Sequence, residues 1–284
     1  MPFASPELAA RVPFGLLLAL TLVSTWYTVY HLARQPAAQP VSFAFGGEAS
    51  PKDYARAVAD AGLLALLACL GLAQLSHETT PDLARLAMVA TLLYAATQLA
   101  RPGARASGRT LALWGGACAA LVLSGAPWIT VLLGTGWLLL AQLSSQHSAP
   151  PDSDWQVEPV ERVRRVSPIL LAWGLLALVM ALAAWLGQVP PPQPWIQRGA
   201  MEWGSWGQLL VWFSWPAWPL VLWTLWCWRR QLLSAHVALP LWSVLVGVAD
   251  SALSADRDRA LLLALPAFAA LAAFALPTLR RSVA

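Results

Sequence analysis

The chain has 284 residues, 58% of them hydrophobic and 11% charged, with a formal net charge of +4. A soluble domain carries about 25% charged residues, so this composition argues against a water-soluble globule. The charges sit in short clusters between long apolar runs, without the alternation of a membrane β-strand, so the expected fold class is all-α: a polytopic transmembrane helical bundle whose segments each satisfy their own backbone amides.

Nine apolar spans follow in chain order, at 12–32, 57–75, 83–100, 110–124, 127–143, 168–189, 205–228, 234–249 and 260–276. Arg11 precedes the first, but its apolar run is long for a signal peptide and no small-x-small cleavage site follows, so it is expected to stay as a helix. The fourth and fifth are split only by SGAP, as a tight hairpin or a re-entrant pair would be. The polar stretch SSQHSAPPDSDWQVEPVERVRRVS, residues 144–167, reads as a cytoplasmic linker that delivers RVRR to the lipid headgroups. It separates an N-terminal half of five spans, 1–143, from a C-terminal half of four, 168–284.

Basic residues are held back on the cytoplasmic side of a membrane. With loops assigned alternately, 13 of the 18 Lys and Arg fall on one side, leaving Arg11, Arg85, Arg198, Arg257 and Arg259 on the other. This bias puts the N-terminus outside and the C-terminus in the cytoplasm. Loop placement accounts for the net positive charge, and no nucleic-acid partner is called for.

Few ionisable residues fall inside the spans. His31 and His236 sit near span ends and suit packing at headgroup level. Asp60 lies about one turn inside the second span, within reach of Arg56 at i−4. In the outer loop SHETTPDL, 76–83, His77 and Glu78 lack the ligand spacing of HExxH, whereas Thr80 and Pro81 suit an N-cap and a first helical position. Cys69, Cys118 and Cys227 form no CxxC or Cys/His cluster, so each is read as a small apolar packing residue and no metal site is indicated.

The run WGSWGQLLVWFSWPAWPLVLWTLWCWRR, 203–230, carries eight tryptophans. Trp203 and Trp206 belong to one interface and Trp226 and Trp228 to the other, beside Arg229 and Arg230. Trp212, Trp215, Trp218 and Trp223 lie at membrane depth, either facing lipid or lining a groove for an isoprenoid tail. Pro216 and Pro219 are expected to bend this helix. In DSALSADRDRALLLALP, 250–266, Arg257 and Arg259 stand at the outer entry of the ninth span, against the positive-inside bias. Either Asp256 and Asp258 neutralise them locally, or the guanidinium groups hold a lipid phosphate.

DRDRALLLALPAFAALAAFALPTLRR, 256–281, resembles the penultimate-helix region of bacterial GT-C glycosyltransferases, the aminoarabinose-transferase and protein-mannosyltransferase-like group. SWPAWPLVLWTLWCWRR, 214–230, is similar to a W..WP...LW..WR helix of that family. The resemblance covers about 165–284. It implies a bacterial inner-membrane protein acting on a polyprenyl-phosphate sugar, whose phosphate is held by outer-face basic residues, here Arg257 and Arg259. The family's catalytic base is an acidic residue in the first outer loop, within DE..Y. The nearest match is GGEASPKDYARA, with Glu48, Asp53 and Tyr54, which is spaced differently and falls inside by the basic-residue bias.

Two function classes stand. One is a lipid-linked glycosyltransferase, or part of one, which needs a base for the acceptor hydroxyl and positive charge on the leaving phosphate. The other is a non-catalytic scaffold, assembly partner or lipid-binding protein whose partners are membrane lipid and other membrane subunits. Neither calls for a cofactor.

Overall fold

The computed structural model describes residues 6–39, 50–101, 107–147, 167–189, 203–254 and 256–282. Among them every regular element is helical. The nine apolar runs become α1 (Pro6–Ala33), α2 and α3 (Pro51–Ala68, Leu70–Leu75), α4 (Pro81–Leu99), α5 (Gly108–Leu123), α6 (Pro127–His147), α7 (Pro168–Trp185), α8 and α9 (Trp203–Phe213, Ala217–Cys227), α10 (Ala235–Leu253), and α11, α12 and α13 (Arg257–Leu262, Leu265–Ala273, Leu276–Ser282). Proline opens α2, α4 and α7, where its missing N–H leaves no helical bond unmade. Thr80 stands at the N-cap of α4 as its spacing predicts, but its side chain makes no capping bond. At α2 the cap is made, with the Asp53 N–H donating to Ser50 Oγ at 3.2 Å.

Five helical stretches are long and apolar enough to cross a membrane: within α1, within α6, α7, α10 and the run α11–α13. The pair α8–α9 makes a sixth if it is one broken span. The other three runs fall short for visible reasons. α2 and α3 are interrupted at Cys69, α4 carries Asp82 and Arg85 in its first two turns, and α5 has only 16 residues.

The run α11–α13 is the axis of the bundle. Of its apolar stretch Arg257–Leu279, 89% is buried, against 22% for α7 at the periphery. It is packed by α1, α2, α9 and α10. Its surface is mostly alanine and leucine, so backbones approach closely. A Cβ placed on Gly247 of α10 would come to 2.7 Å from Ala264, and one on Gly62 of α2 to 3.4 Å from Ala273. The N- and C-terminal halves therefore share one core, and α6 also packs on α10. Residues 148–166 of the linker lie outside the described residues, and α6 runs on to His147.

The α5–α6 connection is a tight hairpin turn. Gly125 takes a left-handed φ of +85°, and the Ala126 and Gly125 N–H groups return to the carbonyls of Leu121 and Val122 at 3.0 and 2.9 Å. This is the glycine-ended helix terminus that SGAP allows.

The expected bend at Pro216 is present. α8 and α9 meet at 90°, with a cis peptide between Trp215 and Pro216. Proline removes an N–H from the ladder and strands nearby carbonyls. α2 breaks too, at Cys69, whose backbone is extended (φ −65°, ψ 123°). The two breaks meet: Leu70 N–H donates to the Trp215 carbonyl at 3.1 Å. Gly71 lies directly against the Phe213 ring, leaving no room for a Cβ. Trp212, Trp215, Trp223 and Trp226 project outward as lipid-facing indoles would, whereas Trp218 is half-buried. Cys69 and Cys118 are buried packing residues as expected, but Cys227 is exposed on α9.

Gly71→Ala is expected to cost about 1–3 kcal/mol through overpacking, read as unfolding in a detergent titration. Trimming the ring in Gly71→Ala/Phe213→Leu should restore part of the loss, because contacting residues couple. Strictly additive losses would show that the two breaks do not touch.

Candidate functional site

Two turns converge at one end of the bundle: the α3–α4 turn with Glu78 and Asp82, and the α10–α11 turn with Asp250, Asp256 and Arg259. Asp82 is the fixed point. Its side chain is only 8% exposed and is held from both sides. Arg85, one turn on along α4, donates to Oδ1 at 3.0 Å. Arg259, from the head of the axial helix, stands 3.6 Å from Oδ2 and 3.8 Å from Glu78 Oε2. Burying the Asp82 carboxylate is tolerable because two guanidinium groups face it. Arg85 also donates through Nε to the Ser124 carbonyl at 3.0 Å, placing its charge at the C-terminal end of α5, where the helix dipole favours a cation.

An open cavity of about 440 Å³ lies here, lined by Asp82 and both arginines together with Ile129, Ser254, Ala260 and Leu263. Two arginines and three aspartates line it: Arg85 and Arg259, with Asp82, Asp250 and Asp256. Ser254 donates to Asp250 at 3.3 Å. The lining can therefore donate to an anionic oxygen and accept from several hydroxyl groups at once.

Of the residues singled out in the sequence, Arg259 lies on this cavity. Arg257 is half-buried, does not line the cavity and makes no ion pair among the described residues. Arg259 takes Glu78 and Asp82 as partners rather than the adjacent Asp256 and Asp258. Asp53 is elsewhere: it opens α2, is exposed, accepts from Ser50 Oγ at 2.6 Å and stands 3.6 Å from Arg56. All of α2 and α3 separates it in the chain from the Glu78 turn. Glu48 lies outside the described residues. Asp60 does not pair with Arg56 as its spacing suggested; it accepts from the Trp26 indole at 2.8 Å. His31 packs among Tyr27, Tyr30 and Tyr94, and His236 is buried between Trp228 and Phe274. No group of three His, Cys, Asp or Glu residues is arranged to hold a metal among the described residues.

Asp82 and Asp250 escaped the sequence reading, which weighed Glu78 only as a metal ligand and Arg85 only as an outer-side cation. Their signal was the loop alternation itself, which puts residues 76–85 and 250–259 on the same side of the membrane.

The geometry ranks the two acidic partners. Asp82→Asn takes charge from a buried, doubly paired site and should lower stability by about 1.5–3 kcal/mol. Glu78→Gln breaks one long, half-exposed pair and should cost less than about 1 kcal/mol. Thermal unfolding of the two variants in the same detergent checks the order, and a reversed order would deny Asp82 its central place.

No known protein family, curated protein or solved structure matches the chain, so the functional reading rests on the chemistry of the cavity.

Proposed function

We propose that the chain is a nine-span protein of the bacterial inner membrane, N-terminus outside and C-terminus cytoplasmic, that binds the headgroup of a polyprenyl-phosphate sugar in the ion-paired cavity. The observation that carries this reading is the composition of the cavity wall, two guanidinium groups among three carboxylates. A bare phosphate would meet more negative than positive charge there. A glycosyl phosphate offers anionic oxygens to the arginines and hydroxyl groups to the aspartates, so it uses both. Arg257, two residues before Arg259 at the head of α11 and in no ion pair among the described residues, adds the positive charge that Arg259 partly spends on Glu78 and Asp82. The adjoining α8 packs against α11 and turns Trp212 and Val211 outward, giving an apolar flank for the lipid tail.

The same placement supports the GT-C resemblance in one respect. In the proposed topology Glu78 and Asp82 stand in the first outer loop, where that family keeps its base, whereas Asp53 falls inside. Glu78 is the more available of the two: its side chain is 38% exposed with one long ion pair, against 8% and two pairs for Asp82. The competing reading, a non-catalytic scaffold or lipid-binding protein, is favoured by the pairing of Arg259 itself, which ties the axial helix to the α3–α4 turn.

The double variant Arg257→Gln/Arg259→Gln separates the two. Headgroup binding predicts that affinity for a polyprenyl-phosphate sugar probe falls about tenfold or more for each charge-assisted bond lost, with membrane insertion intact. Lysine at both positions should recover part of the loss, since it supplies charge without the planar fork. Unchanged affinity in a folded variant would leave only the scaffold reading.

A further inference from the structure

The opposite end of the bundle holds a larger cavity, of about 820 Å³. It is formed by residues 35–37 after α1, Ala100 at the end of α4, Ser144 on α6 and the turn 229–235 that leads into α10. Its chemistry is the reverse of the ion-paired cavity. Its described lining includes Arg229 and Arg230 and no aspartate or glutamate. Arg34 and Arg101 flank it in sequence, each adjoining a lining residue. None of these four guanidinium groups has a carboxylate partner among the described residues. Arg229 lies over the Trp226 ring at 4.7 Å, Arg34 lies over Tyr30 at 5.7 Å, and Arg101 donates to Gln98 at 3.0 Å. Trp226 itself is exposed, so this cation–π contact sits at the rim.

Gln35 also lines the cavity, half-buried, with its amide nitrogen inside the wall. In the same lining, Leu232 and Leu233 are exposed and apolar. Cations at the mouth of the cavity beside exposed leucines suit the boundary between a lipid headgroup and its chains.

We propose that this cavity binds the phosphate diester of an anionic phospholipid drawn from the surrounding leaflet, the cytoplasmic one in the topology above. Arg229 and Arg230 hold the phosphate oxygens, and an acyl chain leaves over Leu232 and Leu233. The inference stands apart from the glycolipid reading, since it concerns the other end of the bundle and different residues.

The test uses the full-length protein, delipidated in a neutral detergent and titrated by native mass spectrometry with short-chain phosphatidylglycerol, short-chain phosphatidylcholine and inorganic phosphate. The expected result is a clear preference for phosphatidylglycerol over phosphatidylcholine. Arg229→Gln should reduce that binding roughly fivefold, and Arg229→Gln/Arg230→Gln about thirtyfold. Arg109→Gln, which removes an exposed cation away from the cavity, should leave it unchanged. Equal binding of both lipids, or an Arg109→Gln loss as large as that of Arg229→Gln, overturns the proposal. Inorganic phosphate binding as tightly as phosphatidylglycerol overturns the lipid source and assigns the cavity to a soluble phosphate. Should the double glutamine variant not fold, the lipid preference of the unmodified protein and of Arg229→Lys/Arg230→Lys decides the matter alone.

Discussion

Hydrocarbon offers no water to an unpaired peptide group, and each such group costs several kcal/mol there. Most of the bundle's architecture follows from that constraint. Three of its runs are split, and at two of them, α2–α3 at Cys69 and α8–α9 at Pro216, a break in isolation would leave donors and carbonyls stranded. The chain sets one break against the other, so that the Leu70 N–H released by the first meets the Trp215 carbonyl released by the second. Gly71 makes the approach possible by giving its space to Phe213. The same constraint is met by three indoles that tie helices together. Trp114 donates to the Ala172 carbonyl, Trp137 to that of Leu239 and Trp242 to that of Leu132, each joining two helices. A tryptophan fills volume and supplies a single donor, which one helical carbonyl with a spare lone pair can satisfy. Hydroxyl groups act likewise: Ser24 pairs with Thr91 across α1 and α4, and Thr224 donates to Leu271 on the axial helix.

With polar ties of this kind inside, formal charge is left to the ends, and the ends differ. At one, carboxylates outnumber arginines around Asp82, and the ion pairs fix the head of the axial helix to the α3–α4 turn. At the other, arginines line a cavity whose described wall has no acid. The helix ends sort between them in strict alternation. The starts of α4, α6 and α11 meet the end of α10 around the first cavity, and the ends of α1, α4 and α6 meet the start of α10 around the second. This is the order expected of segments that each traverse the same slab.

The helices were legible because their signals are local. Apolar runs marked the helices, Pro81 and Pro168 opened α4 and α7, and Pro216 marked the bend, whereas α2 starts at Pro51, six residues before its apolar run. SGAP allowed a tight hairpin or a re-entrant pair, and the turn at Gly125 is a hairpin. The break at Cys69 was not legible, since no proline or glycine stands at that position and the stabilising partner is about 145 residues away in the chain, at a separation no local rule reaches. The site was half-legible for the same reason. Arg259 drew attention as a cation on the wrong side, but the neighbours that seemed to explain it, Asp256 and Asp258, are not its partners. Its real partners, Glu78 and Asp82, are brought to it only when α4 packs beside the axial helix. Asp60 misled in a similar way, with Arg56 one turn off but an indole from α1 nearer.

The central claim is that the bundle crosses the membrane with its ion-paired cavity and its basic cavity on opposite faces. The most direct measurement introduces single cysteines at His77, in the turn beside Glu78, and at Gln231, on the basic cavity, in a cysteine-free background, and treats intact cells with a membrane-impermeant thiol reagent. The account predicts that His77→Cys is labelled from outside, whereas Gln231→Cys is labelled only after the cells are opened. Labelling of both from the same side would contradict it, because no arrangement of spans could then keep the two cavities on opposite faces.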